Sequence, residues 1–177
     1  IYYDGSDNDC VGTPTPPNYV YINNVQQSQF KYKYNFVDNI NTVKLEWSNK
    51  IKTSTCMFYN CIDITEIDLS HFDSSEITNM YNMFRKCSSL KSIDLTNVKT
   101  SKVDDMHRLF NDCSNLISLD LSYFDTSNIK DFYNMFDGCT SLKSLDISNF
   151  DTKKGVSFDD MFKSCSSLEY INLENTK

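Results

Sequence analysis

Residues 77–102 read ITNMYNMFRKCSSLKSIDLTNVKTSK, and their Phe-x-x-Cys pair recurs at a constant spacing along the chain. The pair occurs five times, each copy 26 residues after the last and without an insertion. The copies are Phe58 and Cys61, Phe84 and Cys87, Phe110 and Cys113, Phe136 and Cys139, and Phe162 and Cys165. A fixed period of this size is typical of solenoids, in which one supersecondary unit stacks on copies of itself. The sequence therefore predicts five stacked coils.

The first half of the repeat has the spacing of a helix. Numbered from 1 to 26, the unit carries apolar residues at positions 1, 4, 7, 8 and 11, which fall on one helical face. Thr100 and Ser101 supply hydroxyls that we expect to cap the next helix at Val103. Position 4 reads Ser54, Met80, Met106, Phe132 and Phe158, and position 7 reads Met57, Met83, Leu109, Met135 and Met161. We predict a helix in this half, with both positions buried.

The second half of the repeat has the pattern of a short strand. Leu90, Ile93 and Leu95 follow an L-x-x-L-x-L spacing, whose last members alternate with Asp94. One helix and one strand cannot enclose an apolar interior, so each coil must bury its face against the next. We therefore predict an α/β solenoid of five helix-strand coils, with a parallel sheet that takes one strand from each coil.

The segment before the repeats differs in composition. We predict a leader loop over residues 1–17, a β-rich amino-terminal cap over 18–50, and repeats over 51–177, with units that start near residues 51, 77, 103, 129 and 155. The cap contains two predicted strands, at 19–22 and 30–36, and an alternating run at 43–47. At the carboxyl end Leu168, Ile171 and Leu173 have no following coil, so we expect continuation of the chain or end-to-end association there.

The repeat also carries a family resemblance. IKDFYNMFDGCTSLKSLDISNFDT, residues 129–152, closely resembles the BspA-like leucine-rich repeats of bacterial, mollicute and protist cell-surface proteins. The resemblance extends over about residues 51–176. It implies a leucine-rich-repeat solenoid and, by association, adhesion at a cell surface. It supplies no shared catalytic residue.

Composition excludes several classes of function. The 177-residue chain has a net charge of -7 and only two arginines, Arg85 and Arg108, which argues against nonspecific binding to nucleic acid. No apolar run reaches the roughly 18 residues of a membrane span, so we expect no direct membrane insertion. The sequence starts neither with Met nor with a signal peptide, which is expected of a mature product or a fragment.

The cysteines and histidines predict structure and no catalysis. Five cysteines fall on the apolar face of the repeat, where a free thiol packs as a small hydrophobe; pairing between coils is the alternative. Cys10 and Cys56 lie outside this row, and the sequence leaves open whether they form a disulfide, which would require an extracellular setting. Cys56 and Cys61 have a C-x4-C spacing, but no second close Cys or His pair accompanies them, and His71 and His107 lie in different repeats. We expect no enzyme activity, no metal and no cofactor.

Residues between the apolar positions of each strand should point outward and form the functional surface. Asp68, Asp94, Asp120 and Asp146 occupy position 18, and Asn172 follows them in the fifth coil. Like charges in neighbouring strands repel, so we expect Lys91, Lys143 or nearby hydroxyls to offset the repulsion, and a bound cation less so. The predicted partner-binding residues are Asp68, His71, Asp94, Asn97, Asp120, Tyr123, Asp146 and Asn149.

These features together predict a binding protein. We expect an extracellular or cell-surface repeat protein that binds a host or neighbouring-cell protein, or a glycan, through the exposed strand residues. The alternative is a structural subunit that packs into a larger assembly through its helical face or its open carboxyl-terminal end.

Overall fold

A computed structural model describes residues 10, 15–29, 31, 41–174 and 176 of the chain. Near the amino terminus, β1 (Tyr19–Ile22), β2 (Val25–Gln26) and β3 (Val43–Glu46) form an antiparallel sheet in the order β2-β1-β3. Asn23 and Asn24 join β1 to β2 with φ values of 49° and 66°. Two successive positive φ values are those of a tight hairpin turn, which asparagine tolerates. The strand predicted over 30–36 lies outside the described residues, apart from position 31.

The later strands are short and pair in parallel. They are β4 (Glu66–Asp68), β5 (Ser92–Asp94), β6 (Ser144–Asp146) and β7 (Tyr170–Asn172). β4 pairs with β5 and β6 with β7, and each residue faces its equivalent in the next coil, as Ile67 faces Ile93. Residues 116–120, in the third coil, are not in a strand. The sheet is therefore two separate pairs of strands, without the strand that we predicted in the third coil.

The first half of each coil is not helical. The described residues contain no helix, and residues 54–60 and their equivalents form successive turns. At position 3 of the repeat, neighbouring coils join through parallel bridges, which link Thr53, Asn79, Asp105, Asp131 and Ser157 in turn. The predicted α/β class, with five helix-strand coils, is wrong. The described chain consists of turns and short strands.

Hydrogen bonds between coils explain why no helix forms. Amides at positions 4, 6, 8 and 10 donate to carbonyls of the next coil, as the Phe84 amide does to the Leu109 oxygen at 3.0 Å. Amides at positions 7, 9 and 11 bond three residues back, as Cys87 does to Phe84 at 3.1 Å. An α-helix would instead direct each amide to the carbonyl four residues earlier. The alternation joins every coil to the next one.

The backbone conformation at two positions of the repeat is also incompatible with a helix. Positions 6 and 10 have positive φ, whereas every residue of a right-handed helix has negative φ. Asparagine, aspartate and glycine tolerate this left-handed region best, and they fill most of these positions. The residues are Cys56, Asn60, Asn82, Lys86, Arg108, Asp112, Asn134, Gly138, Asp160 and Ser164.

The core runs along the solenoid as a stack of phenylalanines. Phe58, Phe84, Phe110, Phe136 and Phe162 stack with ring centroids 5.3 to 5.9 Å apart and nearly parallel planes. All five residues at position 7 are buried, which confirms that prediction. At position 4 Met80, Met106 and Phe132 are buried, whereas Phe158 is 41% exposed. The core therefore becomes accessible to solvent at the fifth coil.

The row of cysteines beside these rings consists of free thiols, so pairing between coils does not occur. Cys61, Cys87, Cys113 and Cys139 are buried, as predicted, and Cys165 is half-buried. The Cys113 Sγ donates to the Phe84 carbonyl oxygen at 3.2 Å, and the later thiols repeat this contact with the preceding coil. Burial raises the pKa of Cys61 to about 11 and that of Cys113 well above its ordinary value.

Buried hydroxyls at position 24 join neighbouring coils. Thr100 Oγ1 donates to the Asp125 carbonyl oxygen and accepts from the Asp125 amide, both at 2.8 Å. Thr126 makes the same two contacts with Asp151. The predicted role of Thr100 as a helix cap is therefore wrong, because its hydroxyl bonds the next coil.

No helix in the described part of the chain is long and apolar enough to cross a membrane.

Candidate functional site

The eight residues predicted to bind a partner form what we call the strand face: Asp68, His71, Asp94, Asn97, Asp120, Tyr123, Asp146 and Asn149. All eight are exposed to solvent. They lie in the first four coils, where the 26-residue register places equivalent positions side by side, as it pairs Asp68 with Asp94. The structure thus brings neighbouring members of this set together on one surface.

Each aspartate of the strand face is held by its own backbone. The Asp68 Oδ1 accepts the amide of Ser70 at 2.8 Å, and the Asp94 Oδ1 accepts that of Thr96 at 2.9 Å. Asp120 and Asp146 make the same contact two residues on, each at 2.9 Å. This is the Asx-turn, in which a short acidic or amide side chain replaces a backbone turn bond. The second carboxylate oxygen of Asp68, Asp94 and Asp120 accepts no hydrogen bond within the described chain, whereas that of Asp146 accepts one from the fifth coil.

Serine hydroxyls and amides offset the repulsion between these aspartates. Hydrogen bonds from Ser70 lower the pKa of Asp68 below its usual value, and Ser122 and Ser148 act likewise on Asp120 and Asp146. Neither Lys91 nor Lys143 forms an ion pair with a described aspartate of this column. Of the compensations we expected, the hydroxyls are present and the lysine pairs are absent.

The fifth coil shows what an amide does at the same position. Asn172 Oδ1 accepts the Glu174 amide at 3.1 Å, so the turn forms without a charge. Its Nδ2 donates to the Asp146 Oδ2 at 3.1 Å in the preceding coil. Asparagine therefore preserves the local geometry and adds a bond between coils.

The remaining polar residues of the strand face partly serve the fold. Asn97 Nδ2 donates to the Ser70 carbonyl oxygen at 2.8 Å, and Asn149 Nδ2 donates to two carbonyl oxygens of the third coil. Tyr123 is 54% exposed and the His71 Nδ1 lies 2.9 Å from the Ser70 hydroxyl. A groove of about 250 Å³ opens beside the first two coils, lined by Ser70, His71, Phe72, Asp73, Ser74, Asn97 and Lys99.

A disulfide that the sequence left open is present. Cys10 and Cys56 are bonded, with their Cα atoms 6.2 Å apart, and both are buried beside Tyr59 and Tyr81. The bond attaches the leader to the first coil at a position with positive φ. In the other coils this position is Asn, Arg or Asp, so the departure to cysteine was the available signal.

A second surface, which the sequence analysis did not single out, lies on the turns. We call Tyr81, His107, Arg108 and Tyr133 the turn face. The rings of Tyr81, His107 and Tyr133 meet edge to face, with centroids 5.1 and 4.8 Å apart. Burial lowers the pKa of His107, against an opposing effect of Asp131.

Among the described residues, no group of three or more His, Cys, Asp or Glu is placed to hold a metal ion.

An apolar cavity of about 510 Å³ lies at the fifth coil. Phe158 and Leu173, which line it, are 41% and 54% exposed. Met161 and Phe162 also line it. Leu168 and Ile171, which we expected to lack a covering coil, are only partly buried.

Comparison with known proteins places the chain in a family. A leucine-rich repeat protein of T. pallidum, TpLRR, aligns with 18% identity and a TM-score of 0.38, over 70% of this chain. The chain spans 62% of the length of that solved protein. No curated protein matches the chain. The resemblance to BspA-like repeats stays a prediction. A family model matches residues 20–99 and again residues 91–176, so the chain belongs to the family described as Mycoplasma protein of unknown function, DUF285.

Proposed function

We propose that this protein is a non-catalytic binding module whose strand face holds a protein or glycan partner. The observation that carries the proposal is the column of four exposed aspartates, each fixed by an Asx-turn. A carboxylate that is already ordered loses less entropy on binding than a mobile one. The oxygen left free in Asp68, Asp94 and Asp120 accepts hydrogen bonds from hydroxyl, amide or ammonium groups. We therefore expect a partner with donor groups spaced to match successive coils, about 4.8 Å apart.

The disulfide supports a location outside the cell. Disulfides persist in oxidising compartments and are rare in the reducing cytosol. Cys10 and Cys56 are paired, whereas the five thiols of the repeat are unpaired and mostly buried. We place the protein, as part of the proposal, in the extracellular space or at a cell surface.

The test replaces Asp94 and Asp120 together by asparagine. Asn172 already keeps the same turn without a charge, so this double variant should fold. Binding to immobilised extracellular proteins, to a glycan array and to a lysine-rich peptide would be measured for each protein. We expect the best ligand of the wild type to bind the double variant about tenfold more weakly or worse, because charge-assisted hydrogen bonds are lost.

A matched control is a second double variant, which removes two aspartate charges from a different turn of the repeat. Asp125 and Asp151 also form Asx-turns, with Ser127 and Lys153, at position 23 of the repeat. Asp125→Asn with Asp151→Asn should leave binding unchanged. Equal losses in both double variants would indicate a general charge effect, and unchanged binding in the strand-face variant would move the site elsewhere.

The cavity at the fifth coil favours a second candidate function, in which the protein is a structural subunit. We propose that this apolar end packs against the same end of a second copy, since exposed apolar patches mark contact surfaces. Sedimentation should then show dimers that increase with concentration and are lost in Leu173→Asp. Val25→Asp, at a residue that is 63% exposed in β2, is the control. A monomer at all concentrations contradicts this candidate.

A further inference from the structure

Arg108 occupies a backbone position that suits other residues better. It has a φ of 55°, and the equivalent position in the other coils holds Cys56, Asn82, Asn134 and Asp160. Asparagine and aspartate are the non-glycine residues that tolerate this region best. Cys56 is accounted for by its disulfide. Arginine here is therefore a departure from the repeat that the fold does not require.

The guanidinium of Arg108 has no ionic or hydrogen-bonded partner among the described residues. Its contact is with the Tyr133 ring, whose centroid lies 5.4 Å from Cζ. The Nε is buried without a hydrogen-bond acceptor. A buried N–H without an acceptor is destabilising, so native structures rarely retain one without a reason.

The second arginine of the chain provides an internal comparison. Arg85 lies over the Tyr59 ring at 5.7 Å, much as Arg108 lies over Tyr133. However, Arg85 Nε donates to the Asn111 Oδ1 at 2.7 Å. The stacking is thus common to both residues, and the acceptor at the Nε, which Arg85 has and Arg108 lacks, distinguishes them.

The surroundings of Arg108 form an aromatic row. Tyr81, His107 and Tyr133 extend over three coils, and each ring is partly exposed. The His107 Nε2 is buried and also lacks a hydrogen-bond partner. Two unsatisfied nitrogens therefore lie at adjacent residues, beside apolar ring surface.

We propose that the turn face binds an acidic peptide segment, with a carboxylate of the peptide held by Arg108. A carboxylate accepts two parallel hydrogen bonds from a guanidinium, and because the Nε of Arg108 is buried in the free protein, the side chain has to turn outward for the Nε to donate one of them. The aromatic row would pack against the neighbouring side chains of an extended peptide. This surface is independent of the strand face and takes a ligand of opposite charge to that proposed there.

The local charges favour a carboxylate over a phosphate. Asp131 lies on the other side of the row, with its Oδ2 at 3.9 Å from the His107 Nδ1, and Asp105 is close to His107 as well. These acids repel a doubly charged group more strongly than a singly charged one. A monoanion with planar geometry is the better match.

The test uses the side-chain Nε–H signals of the 177-residue, disulfide-bonded chain. With only two arginines in the chain, a ¹⁵N-labelled sample gives two such signals, and Arg85→Lys assigns them. An acetylated pentapeptide with two glutamates flanking a phenylalanine is titrated, followed by the same peptide with glutamines. We expect a saturable shift of the Arg108 signal with the glutamate peptide, and a negligible shift with the glutamine peptide.

Two substitutions sharpen the result. Arg108→Asn installs the residue that neighbouring coils carry, so the variant should fold. Its affinity for the glutamate peptide should be lower by about tenfold or more. Arg108→Lys keeps the charge and should bind at an intermediate level, because lysine cannot make the bidentate contact. Arg85→Lys should bind as the wild type does.

Three results would overturn the proposal. One is equal shifts with the two peptides, and another is unchanged affinity in a folded Arg108→Asn protein. The third is saturation of the Arg108 signal by inorganic phosphate at a lower concentration than by the glutamate peptide, which would assign the site to phosphate groups.

Discussion

The third and fifth coils carry the same motif in different surroundings. Phe110 and Cys113 are fully buried, whereas Phe162 and Cys165 are only partly so. Their local sequences, LFNDC and MFKSC, place the same residue types at the inward positions. The difference shows that burial in this repeat depends on the following coil. Four backbone amides of the third coil likewise donate to the fourth coil.

The largest expected effect comes from removing a ring of the central stack. Phe110→Ala deletes a fully buried side chain between Phe84 and Phe136, so it should destabilise the protein by about 3 to 5 kcal/mol through lost burial and a cavity. Phe162→Ala should have a smaller effect, because that ring is partly exposed and has one stacking neighbour. Urea denaturation measures both. Equal losses would show that the two coils are equally packed.

Alkaline pH should destabilise the protein through its buried thiols. Their pKa lies above the ordinary 9.0 in the folded state, because burial disfavours the thiolate. As pH rises above 9, the unfolded chain loses these protons and the folded chain keeps them, so stability falls. The free energy of unfolding is unaffected below the thiol pKa of the unfolded chain. Between that pKa and the raised pKa of the folded state, it decreases by about 1.4 kcal/mol per pH unit for each such thiol.

The contribution of one thiol is measured by difference. The unfolding free energy is measured from pH 9 to about pH 11, the value to which burial raises the pKa of Cys61. Over this range it should decline less steeply in Cys113→Ala than in the wild type. Cys165→Ala should change the slope less, because the Cys165 thiol is half-buried and burial raises its pKa less than that of Cys113. Identical slopes for the wild type and Cys113→Ala would contradict the burial account.

Removal of a buried hydroxyl should lower the free energy of unfolding by about 1 to 3 kcal/mol. Thr126→Val leaves the Asp151 amide and carbonyl of the next coil without their partner, and both contacts are within 3.1 Å. Thr140→Val is the control, because that hydroxyl is exposed and water can replace its bond to Ser114. Thermal unfolding of the two variants should separate them clearly. A stable Thr126→Val protein would show that the hydroxyl does not join the coils.

The smallest expected effect is a gain. Asp94→Asn together with Asp120→Asn relieves repulsion between neighbouring coils, and should raise the unfolding free energy by up to about 0.5 kcal/mol at low salt. The gain should shrink as salt is added. A loss of stability would mean that the charge itself holds the turns, contrary to the geometry of Asn172.

The periodicity of the core was predictable from the sequence, and the backbone that builds it was not. Positions 4, 7, 8 and 11 face inward in a helix, and they also face inward in a chain of turns that repeats every four residues. Apolar spacing cannot separate the two arrangements. Asn60, Asn82, Asn134 and Gly138, within the predicted helices, were the signal for left-handed backbone.

The exposed surface was predictable in part. Alternation within the strands placed the aspartates outward, and the structure shows them there. Their Asx-turns depend on the chain reversing at Ser70 and its equivalents, which the alternation alone does not reveal. The turn face was missed because His107 and Arg108 acquire their surroundings from Tyr81 and Tyr133, each 26 residues from His107.

Hydrogen exchange of the motif phenylalanine amides tests most directly whether bonds between coils replace a helix. The Phe84, Phe110 and Phe136 amides donate to the following coil at 2.9 to 3.0 Å, whereas the Phe162 amide has no acceptor among the described residues. Measured by NMR on the 177-residue chain, the Phe84, Phe110 and Phe136 amides should be strongly protected and the Phe162 amide should exchange quickly. In a helix, Phe162 would bond to Phe158 within its own coil. Comparable protection of Phe110 and Phe162 would therefore contradict the account.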